Sequence, residues 1–345
     1  MEPIFGFELS LSKTILPIGL SFHTFQSISY VIDVYRKTQK PETHLGIYSN
    51  YVLFFPQMVA GPIERYANLG NQLNNKTSFD FSTAKKGVQL ILIGLFYKMV
   101  IADNCGIYVN GIYENISKSN AANSLLAILL FSVQIYADFF GYSLIAQGSA
   151  SLFGIGLIDN FRFPFFSKNI IEFWQRWHIS LTSWFRNYLF IPLGGSKNGK
   201  FKHYRNIIII FSLSGLWHGA SWNFILWGTL HALCYTATIT LKPFFSNLLP
   251  SFLKYTFTFL LVSFIFVFFR STTFFDSIEL FKSLLDYKSA FFINSTTIFL
   301  FILIAFTFVI ESFAFKKDSY ANFLNYTSGN LKVIILTTML FCILL

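Results

Sequence analysis

The longest stretch without a charged side chain most constrains how this chain can fold. From Asn206 to Leu241 the sequence contains no Asp, Glu, Lys or Arg, and a membrane-spanning helix needs only about 20 largely apolar residues. Over all 345 residues, 54% are hydrophobic and 12% are charged, whereas soluble domains have about 25% charged residues. A soluble chain of this composition could not cover its surface with polar groups. We therefore predict an all-α, polytopic membrane bundle.

Other weakly charged stretches extend this prediction to about eight to ten membrane elements. Together they form one membrane domain over residues 1–345. The stretches are Thr14 to Ile32, Thr43 to Ile63, Gly87 to Ala102, Ala121 to Leu157, Asn206 to Leu241, Tyr255 to Phe269, Ser289 to Ile310 and a short final run from Val333 to Leu345.

Several of these stretches contain residues that interrupt helices. Prolines and a glycine in Thr43 to Ile63 predict a kinked or re-entrant element, which must pack inside protein. The run from Ala121 is too long for one span, so we expect a bend near Gly141. Gly215 and Gly219 predict a break within the longest uncharged stretch. Lys98 stands near the end of its stretch, where its ammonium can reach the interface.

The segment from Asp159 to Lys202 differs from the spans because it mixes charges with three tryptophans. This composition favours a tilted, interfacial or cavity-lining amphipathic helix. The sequence Ile-Pro-Leu-Gly-Gly at 191–195 is expected to end that helix.

The formal net charge of +10 is open to two interpretations. It could mark a surface for nucleic acid or an anionic substrate, or it could reflect basic loops that face anionic lipid headgroups. We favour the second and expect no nucleic-acid partner, because no compact basic block is present. The three cysteines are far apart and indicate no disulfide framework. The first ten residues lack a basic region, so we expect no cleavable signal peptide.

His218 is the strongest candidate for chemistry. It lies inside the longest uncharged stretch, and an ionisable residue within a membrane is a functional candidate by default. Burial favours its neutral imidazole, which is the form that a general base needs. The flanking glycines allow a ligand to approach closely, and Trp217 and Trp222 could wall a pocket. The alternative is a core histidine whose ring is satisfied by a backbone carbonyl.

His178 follows Arg176 and Trp177 in a second polar cluster. Arg176 could hold a phosphate or carboxylate, or the whole cluster could anchor an interfacial helix. His178, His218 and His231 have no metal-ligand spacing, so we expect no metal. Asp138 is a further intramembrane carboxylate that could pair with an Arg or His, either structurally or catalytically. No phosphate-binding loop or serine-hydrolase motif is present.

Several motifs together resemble the membrane-bound O-acyltransferase family, in the bacterial branch that acetylates alginate. The similarity extends over nearly the whole chain, although typical members have additional N-terminal spans and a longer C-terminal tail. The motifs are Pro17 to Phe25 with Asp33 to Arg36, Phe55 to Arg65, Glu172 to Ser180, Tyr188 to Gly195 and Gly215 to Ala220.

The resemblance implies a helical bundle around a central tunnel, with His218 at the position of the family's catalytic histidine and His178 as a second important polar residue. It implies no tightly bound cofactor but an acyl thioester co-substrate, acetyl-CoA or an acyl carrier protein, presented from the cytoplasm. The implied acceptor is a polysaccharide outside the bacterial inner membrane, reached with an extracytoplasmic acyl-handling partner of the SGNH type. We expect substrate contacts at Arg176, Trp177, Trp217, Trp222 and Asp138.

Two other functions remain compatible with the sequence. A non-catalytic transporter or flippase of envelope glycan precursors would also need polar residues within the membrane. A degenerate relative could serve as a structural subunit. The transporter alternative does not explain the Trp-His-Gly sequence at 217–219.

Overall fold

The computed structural model describes residues 19–58, 61–75, 78–245, 249–287 and 295–344. These residues form helices and connecting turns, without a strand among them, as the all-α prediction requires. The helices are α1 (Leu20–Tyr35), α2 (Leu45–Val52), α3 (Leu69–Leu73), α4 (Phe81–Leu95), α5 (Asp103–Tyr113), α6 (Ala121–Leu152), α7 (Ile170–Arg176), α8 (Ile179–Phe185), α9 (Lys200–His218), α10 (Trp222–Phe245), α11 (Ser251–Arg270), α12 (Phe274–Ser283), α13 (Ser295–Phe315), α14 (Tyr320–Tyr326) and α15 (Gly329–Leu344).

Five helices in the described ranges are long and apolar enough to cross a membrane, so the chain is a multi-pass membrane protein. They are Phe81–Tyr113, Ala121–Leu152, Trp222–Leu241, Ser251–Arg270 and Thr297–Phe315, with a shorter apolar helix at Gly329–Leu344. Fewer long spans are present than the eight to ten elements predicted, because α1 and α2 are short and α9 begins with basic residues.

Glycines bring α4 and α6 into backbone contact. A Cβ built on Gly94 would lie 2.6 Å from the carbonyl oxygen of Gly141, and one built on Gly141 would lie 2.7 Å from that of Gly94. Gly87 and Gly148 repeat this reciprocal contact at 2.6 and 2.5 Å. Small residues allow such close approach between membrane helices. The predicted bend near Gly141 was therefore wrong: α6 is one unbroken helix of 32 residues, and the glycine serves packing.

A π-helical turn, Phe96–Ala102, joins α4 and α5 into one continuous helix. Lys98 lies within this turn, not at a helix end as predicted. Its ammonium nitrogen lies 2.6 Å from Asp103 Oδ1 and 2.7 Å from Asp138 Oδ1. Paired carboxylates, not access to the interface, thus compensate this charge.

The segment from Asp159 to Lys202 is not the single amphipathic helix that was predicted. It contains a short turn at Pro164–Phe166, then α7, α8 and a π-helical turn at Arg186–Phe190. The helix is interrupted at His178, whose φ of 43° and ψ of 55° lie in the left-handed region. The predicted end of the segment is confirmed, because Gly194 and Gly195 follow with φ of 96° and 55°.

The break in the longest uncharged stretch is confirmed at Gly219, where α9 ends and a short turn leads to α10. It does not occur at Gly215, which stays inside α9 against the carbonyl oxygen of Phe224. The helix end places His218 at the last position of α9. This position brings it close to the α7–α8 break.

Candidate active site

The Trp217 ring contacts the rings of both His178 and His218. The Trp217 ring centroid lies 4.8 Å from that of His218 and 6.3 Å from that of His178. Trp217 is itself held by stacking on Phe25, at 5.3 Å. The predicted role of Trp217, as a pocket wall and substrate contact, stays a prediction.

In the part of the chain that the structure describes, aromatic rings surround the His218 side chain but form no hydrogen bond with its ring nitrogens. Trp227 and Phe269 lie edge-on at centroid distances of 5.4 and 5.0 Å. The residue keeps partial exposure. Among the described residues neither ring nitrogen has a hydrogen-bond partner, so a neutral His218 has a lone pair free to accept a proton.

Asn160 fixes the orientation of His178. Its Oδ1 lies 3.0 Å from His178 Nδ1 and accepts hydrogen bonds from the Ser180 hydroxyl at 2.8 Å and, more weakly, the Ser180 backbone N–H at 3.4 Å. The atom that faces these donors is therefore the amide oxygen. His178 must then carry its proton on Nδ1 and its lone pair on Nε2.

The backbone around His178 is strained and held in place. A left-handed non-glycine residue costs about 1–3 kcal/mol and persists only where its surroundings enforce it. Here the N–H of Ile179 donates to the Asn160 carbonyl at 2.9 Å, and the N–H of Arg162 donates to the Arg176 carbonyl at 2.9 Å. These bonds tie the loop before α7 to the break after it. Phe139 on α6 completes the support, 4.6 Å from the His178 ring.

His178 is 3% exposed and lies outside the five candidate spans. Burial, and secondly the neighbouring His218, hold the pKa of His178 well below its usual range. The imidazole is therefore neutral at physiological pH. Both its charge state and its tautomer are compatible with accepting a proton at Nε2.

His231 is buried in an aromatic cage that shares Trp227 with His218. Trp174 and Trp227 lie 5.0 Å from its ring centroid, and Phe173 stacks parallel at 6.3 Å. Neither of its ring nitrogens has a hydrogen-bond partner among the described residues. No cluster of three metal-ligating side chains occurs in the described ranges.

Arg176 lies in a polar cavity and not against the histidine rings. It donates to Glu172 Oε1 at 2.8 Å and to the Arg162 carbonyl at 3.1 Å, and with Arg162 it lines a cavity of about 820 Å³. Trp177 is 4% exposed and packs on Phe161 and Phe173 at 5.1 and 5.3 Å. The Trp177 side chain is therefore part of the buried aromatic core.

Two further predicted site residues lie elsewhere. Trp222 is 82% exposed at the start of α10, so the prediction that it walls the pocket was wrong, and Trp227, one and a half turns further on, takes that place. Asp138 pairs with Lys98, not with an Arg or His, and its side chain is 42% exposed. Because Asp138 is paired with Lys98, we favour the structural interpretation of this carboxylate over the catalytic one.

Sequence reasoning missed Asn160, Ser180 and Phe139. Asn160 is 1% exposed, yet nothing in the local sequence distinguishes it from a solvated loop asparagine. Its role depends on the close approach of residues 18 and 20 positions later, which only the tertiary structure shows.

Known proteins match the chain over most of its length. The sequence model of MBOAT, the membrane-bound O-acyltransferase family, matches residues 42–278. A probable alginate O-acetylase of Pseudomonas syringae is 38% identical over 76% of this chain and 50% of its own length. A peptidoglycan O-acetyltransferase of Helicobacter pylori is 33% identical over 78% of this chain and 57% of its own. A teichoic acid D-alanyltransferase of Bacillus subtilis is 30% identical over 64% and 58%.

The chain thus spans about half the length of the curated relatives it matches. The matched region includes His178, His218, Asn160 and the supporting helices α6 to α11. With this coverage, the chain belongs to the membrane-bound O-acyltransferase family.

Proposed function

We propose that this chain transfers an acyl group, in the first instance acetyl, from a thioester to a hydroxyl of a cell-envelope glycan. The observation that carries the proposal is the pair of histidines on Trp217, one with both nitrogens unpaired and partly accessible and the other locked in a single neutral tautomer. Family membership supports the reaction class.

His218 acts as the general base in this proposal. It accepts the proton of the acceptor hydroxyl as that oxygen attacks the thioester carbonyl carbon. The carbon–sulfur bond then breaks, and the proton passes from His218 to the departing thiolate, which leaves an ester and a free thiol. A correctly placed base contributes about 10²–10⁴-fold to such a reaction.

His178 acts through its lone pair. Asn160 occupies its Nδ1–H, so Nε2 can accept a hydrogen bond but cannot donate one while the ring is neutral. We therefore assign His178 to orienting the acceptor glycan through a hydroxyl next to the reacting one, because the single proton of the reacting hydroxyl goes to His218. The alternative of stabilising the oxyanion would require a donor at this atom.

The polar cavity beside Arg162 and Arg176 supports an approach route for the donor. That cavity shares Asp159 and Ser319 with a smaller one of about 190 Å³, whose wall includes Asn160 and Ser143. The route thus ends one hydrogen bond from His178. Both guanidinium groups of this cavity are paired with carboxylates, Arg162 with Asp159 and Arg176 with Glu172, so the donor, acetyl-CoA or an acyl carrier protein, is proposed from the family resemblance and not from the charge of the cavity. The continuous tunnel remains a prediction.

The acceptor is inferred from the names of the relatives, and the partner from the family resemblance of the motifs. Their names give alginate, peptidoglycan and teichoic acid as acceptors, all of which are envelope polymers. We propose a bacterial inner-membrane location and a glycan acceptor on the outer side, reached with an SGNH-type acyl-handling partner.

The experiment replaces the chromosomal copy with His218→Ala and measures alkali-labile acetate in the envelope glycan fractions of the host. His44→Ala is the matched control, because His44 is exposed at the start of α2. We expect acetate on one glycan to fall about 10²-fold or more in the first strain and to stay unchanged in the second, at equal protein levels in the membrane. Full acetylation with inserted His218→Ala protein would refute the proposal, and a loss of glycan export without loss of acetate would indicate the transporter alternative.

A further inference from the structure

A glutamate in the α13 span lines an apolar cavity away from the two histidines. Glu311 is 2% exposed and lies in the wall of a cavity of about 410 Å³, together with Phe165, Phe259 and Phe308. Ligand pockets have volumes of about 300–1,000 Å³. The cavity is therefore large enough for an organic ligand, and its walls are mainly aromatic.

Three tyrosines direct their hydroxyl groups toward this carboxyl. Tyr97 and Tyr136 donate to Glu311 Oε1 at 2.6 and 2.8 Å. Tyr320 lies 2.7 Å from the Tyr97 hydroxyl oxygen, and it donates there because the Tyr97 proton is engaged by the carboxyl. Hydrogen bonds of this kind stabilise the ionised form of a carboxylate, whereas burial opposes it, so a cation beside the carboxyl would be needed to hold it ionised.

The described residues provide no cation for Glu311. No Lys, Arg or His among them lies within 4.0 Å of the carboxylate, and Oε2 has no hydrogen-bond partner in the same ranges. An unpaired carboxylate within a membrane is costly, and such groups usually pair with another charge. A cationic ligand in the cavity would supply the missing charge.

The cavity opens toward the lipid-facing surface. Phe252 on α11 is 64% exposed and Phe308 on α13 is 48% exposed, and both line the cavity. A molecule with an alkyl chain can therefore enter sideways from the bilayer. Aromatic walls suit both an alkyl chain and an ammonium group.

We propose that the Glu311 cavity binds a long-chain primary ammonium amphiphile, with the ammonium on the carboxylate and the alkyl chain between α11 and α13. The site is separate from the acyl-transfer site, because two aromatic rings lie in series between them: Tyr136 contacts Phe161, Phe161 contacts Phe139, and Phe139 contacts His178. The ligand is recognised by charge, so a neutral alcohol of the same length binds more weakly.

The test measures equilibrium binding of radiolabelled dodecylamine and dodecanol to the full chain in lipid nanodiscs, each below its aggregation concentration. We expect saturable amine binding about tenfold or more tighter than alcohol binding. Glu311→Gln, which keeps an acceptor for both tyrosines, abolishes this preference. Equal affinities for the two ligands in the unmodified chain, or no saturable amine binding, would overturn the proposal.

A second variant keeps the test decisive if Glu311→Gln does not fold. Thr256 lines the cavity from the exposed side of α11, so Thr256→Phe fills the space without touching the carboxyl cluster. Thr240→Phe is the matched control on the exposed face of α10. We expect amine binding to be lost in the first and kept in the second. Amine binding that both variants retain would show that the amine occupies another place, and it would refute the assignment.

Discussion

Replacing Gly94 with alanine tests the backbone contact between α4 and α6, the helix that packs against the candidate active site. The new Cβ would lie 2.6 Å from the Gly141 carbonyl oxygen and 3.0 Å from the Ile145 backbone nitrogen. Because both are backbone atoms, no side chain can rotate away, and the helices must separate by about 0.4 Å or more. Forcing such an overpacked contact costs about 1–3 kcal/mol.

A matched control separates this cost from helix propensity. Alanine stabilises a helix by about 1 kcal/mol relative to glycine, and this gain applies to both variants. Gly111 lies in α5, with no atom within 4 Å of a built Cβ. We therefore expect Gly111→Ala to raise the free energy of unfolding by about 0.5–1 kcal/mol and Gly94→Ala to lower it by about 1–2 kcal/mol.

The measurement is SDS-driven unfolding of the purified chain in mixed micelles, followed by tryptophan fluorescence. The two variants should differ by about 1.5–3 kcal/mol in the free energy of unfolding. Gly141→Ala should behave like Gly94→Ala, because its Cβ meets the Gly94 carbonyl oxygen at 2.7 Å. Indistinguishable unfolding of Gly94→Ala and Gly111→Ala would refute the proposed helix contact.

Three further predictions concern the histidines and Asn160. The folded chain keeps His178 neutral, whereas the unfolded chain protonates it near pH 6.5. The free energy of unfolding is therefore greatest above about pH 6.5 and falls below it by up to about 1.4 kcal/mol per pH unit. Measured from pH 5 to 7.5, it should depend less on pH in His178→Gln than in the unmodified chain, and an equal dependence would contradict the assignment. Asn160→Ala leaves three buried donors without their acceptor, one on His178 and two on Ser180, and should lower the free energy of unfolding by about 1–3 kcal/mol. Asn160→Asp keeps that acceptor and should recover most of the loss in the same denaturation assay. A loss of the same size in both variants would count against the acceptor role. His231→Leu removes two unpaired ring nitrogens and keeps a similar side-chain volume, so the free energy of unfolding should stay unchanged or rise by about 1 kcal/mol. Acetate transfer should stay within a few fold of normal. A large loss of transfer would show that His231 takes part in the reaction.

The sequence predicted the membrane bundle and the central histidine because both depend on local features. Absence of charge over long stretches reports directly on a lipid environment, and Trp217 adjoins His218 in the chain as well as in space. Helix ends at Gly195 and Gly219 were predictable for the same reason, since glycine ends helices through its own backbone freedom.

Two of the wrong predictions involve a residue whose partner is distant in sequence, and a third involves the direction of a turn. Gly141 could bend a helix or pack one, and only the facing Gly94 on α4 decides between them. Lys98 could reach the interface or form an ion pair, and Asp138 decides. Trp222 and Trp227 are both near His218 in sequence, but the turn after Gly219 directs the first to the surface and the second toward the ring.

A double-mutant cycle on the two histidines tests the central claim most directly. Acetate transfer to the host glycan is measured for His178→Ala, His218→Ala and the double variant at equal membrane levels. If the two imidazoles act on one bound acceptor molecule, the double variant should lose no more than His218→Ala alone, because residues that act as a unit are not additive. Losses that multiply, or a His218→Ala variant with normal transfer, would contradict a shared site.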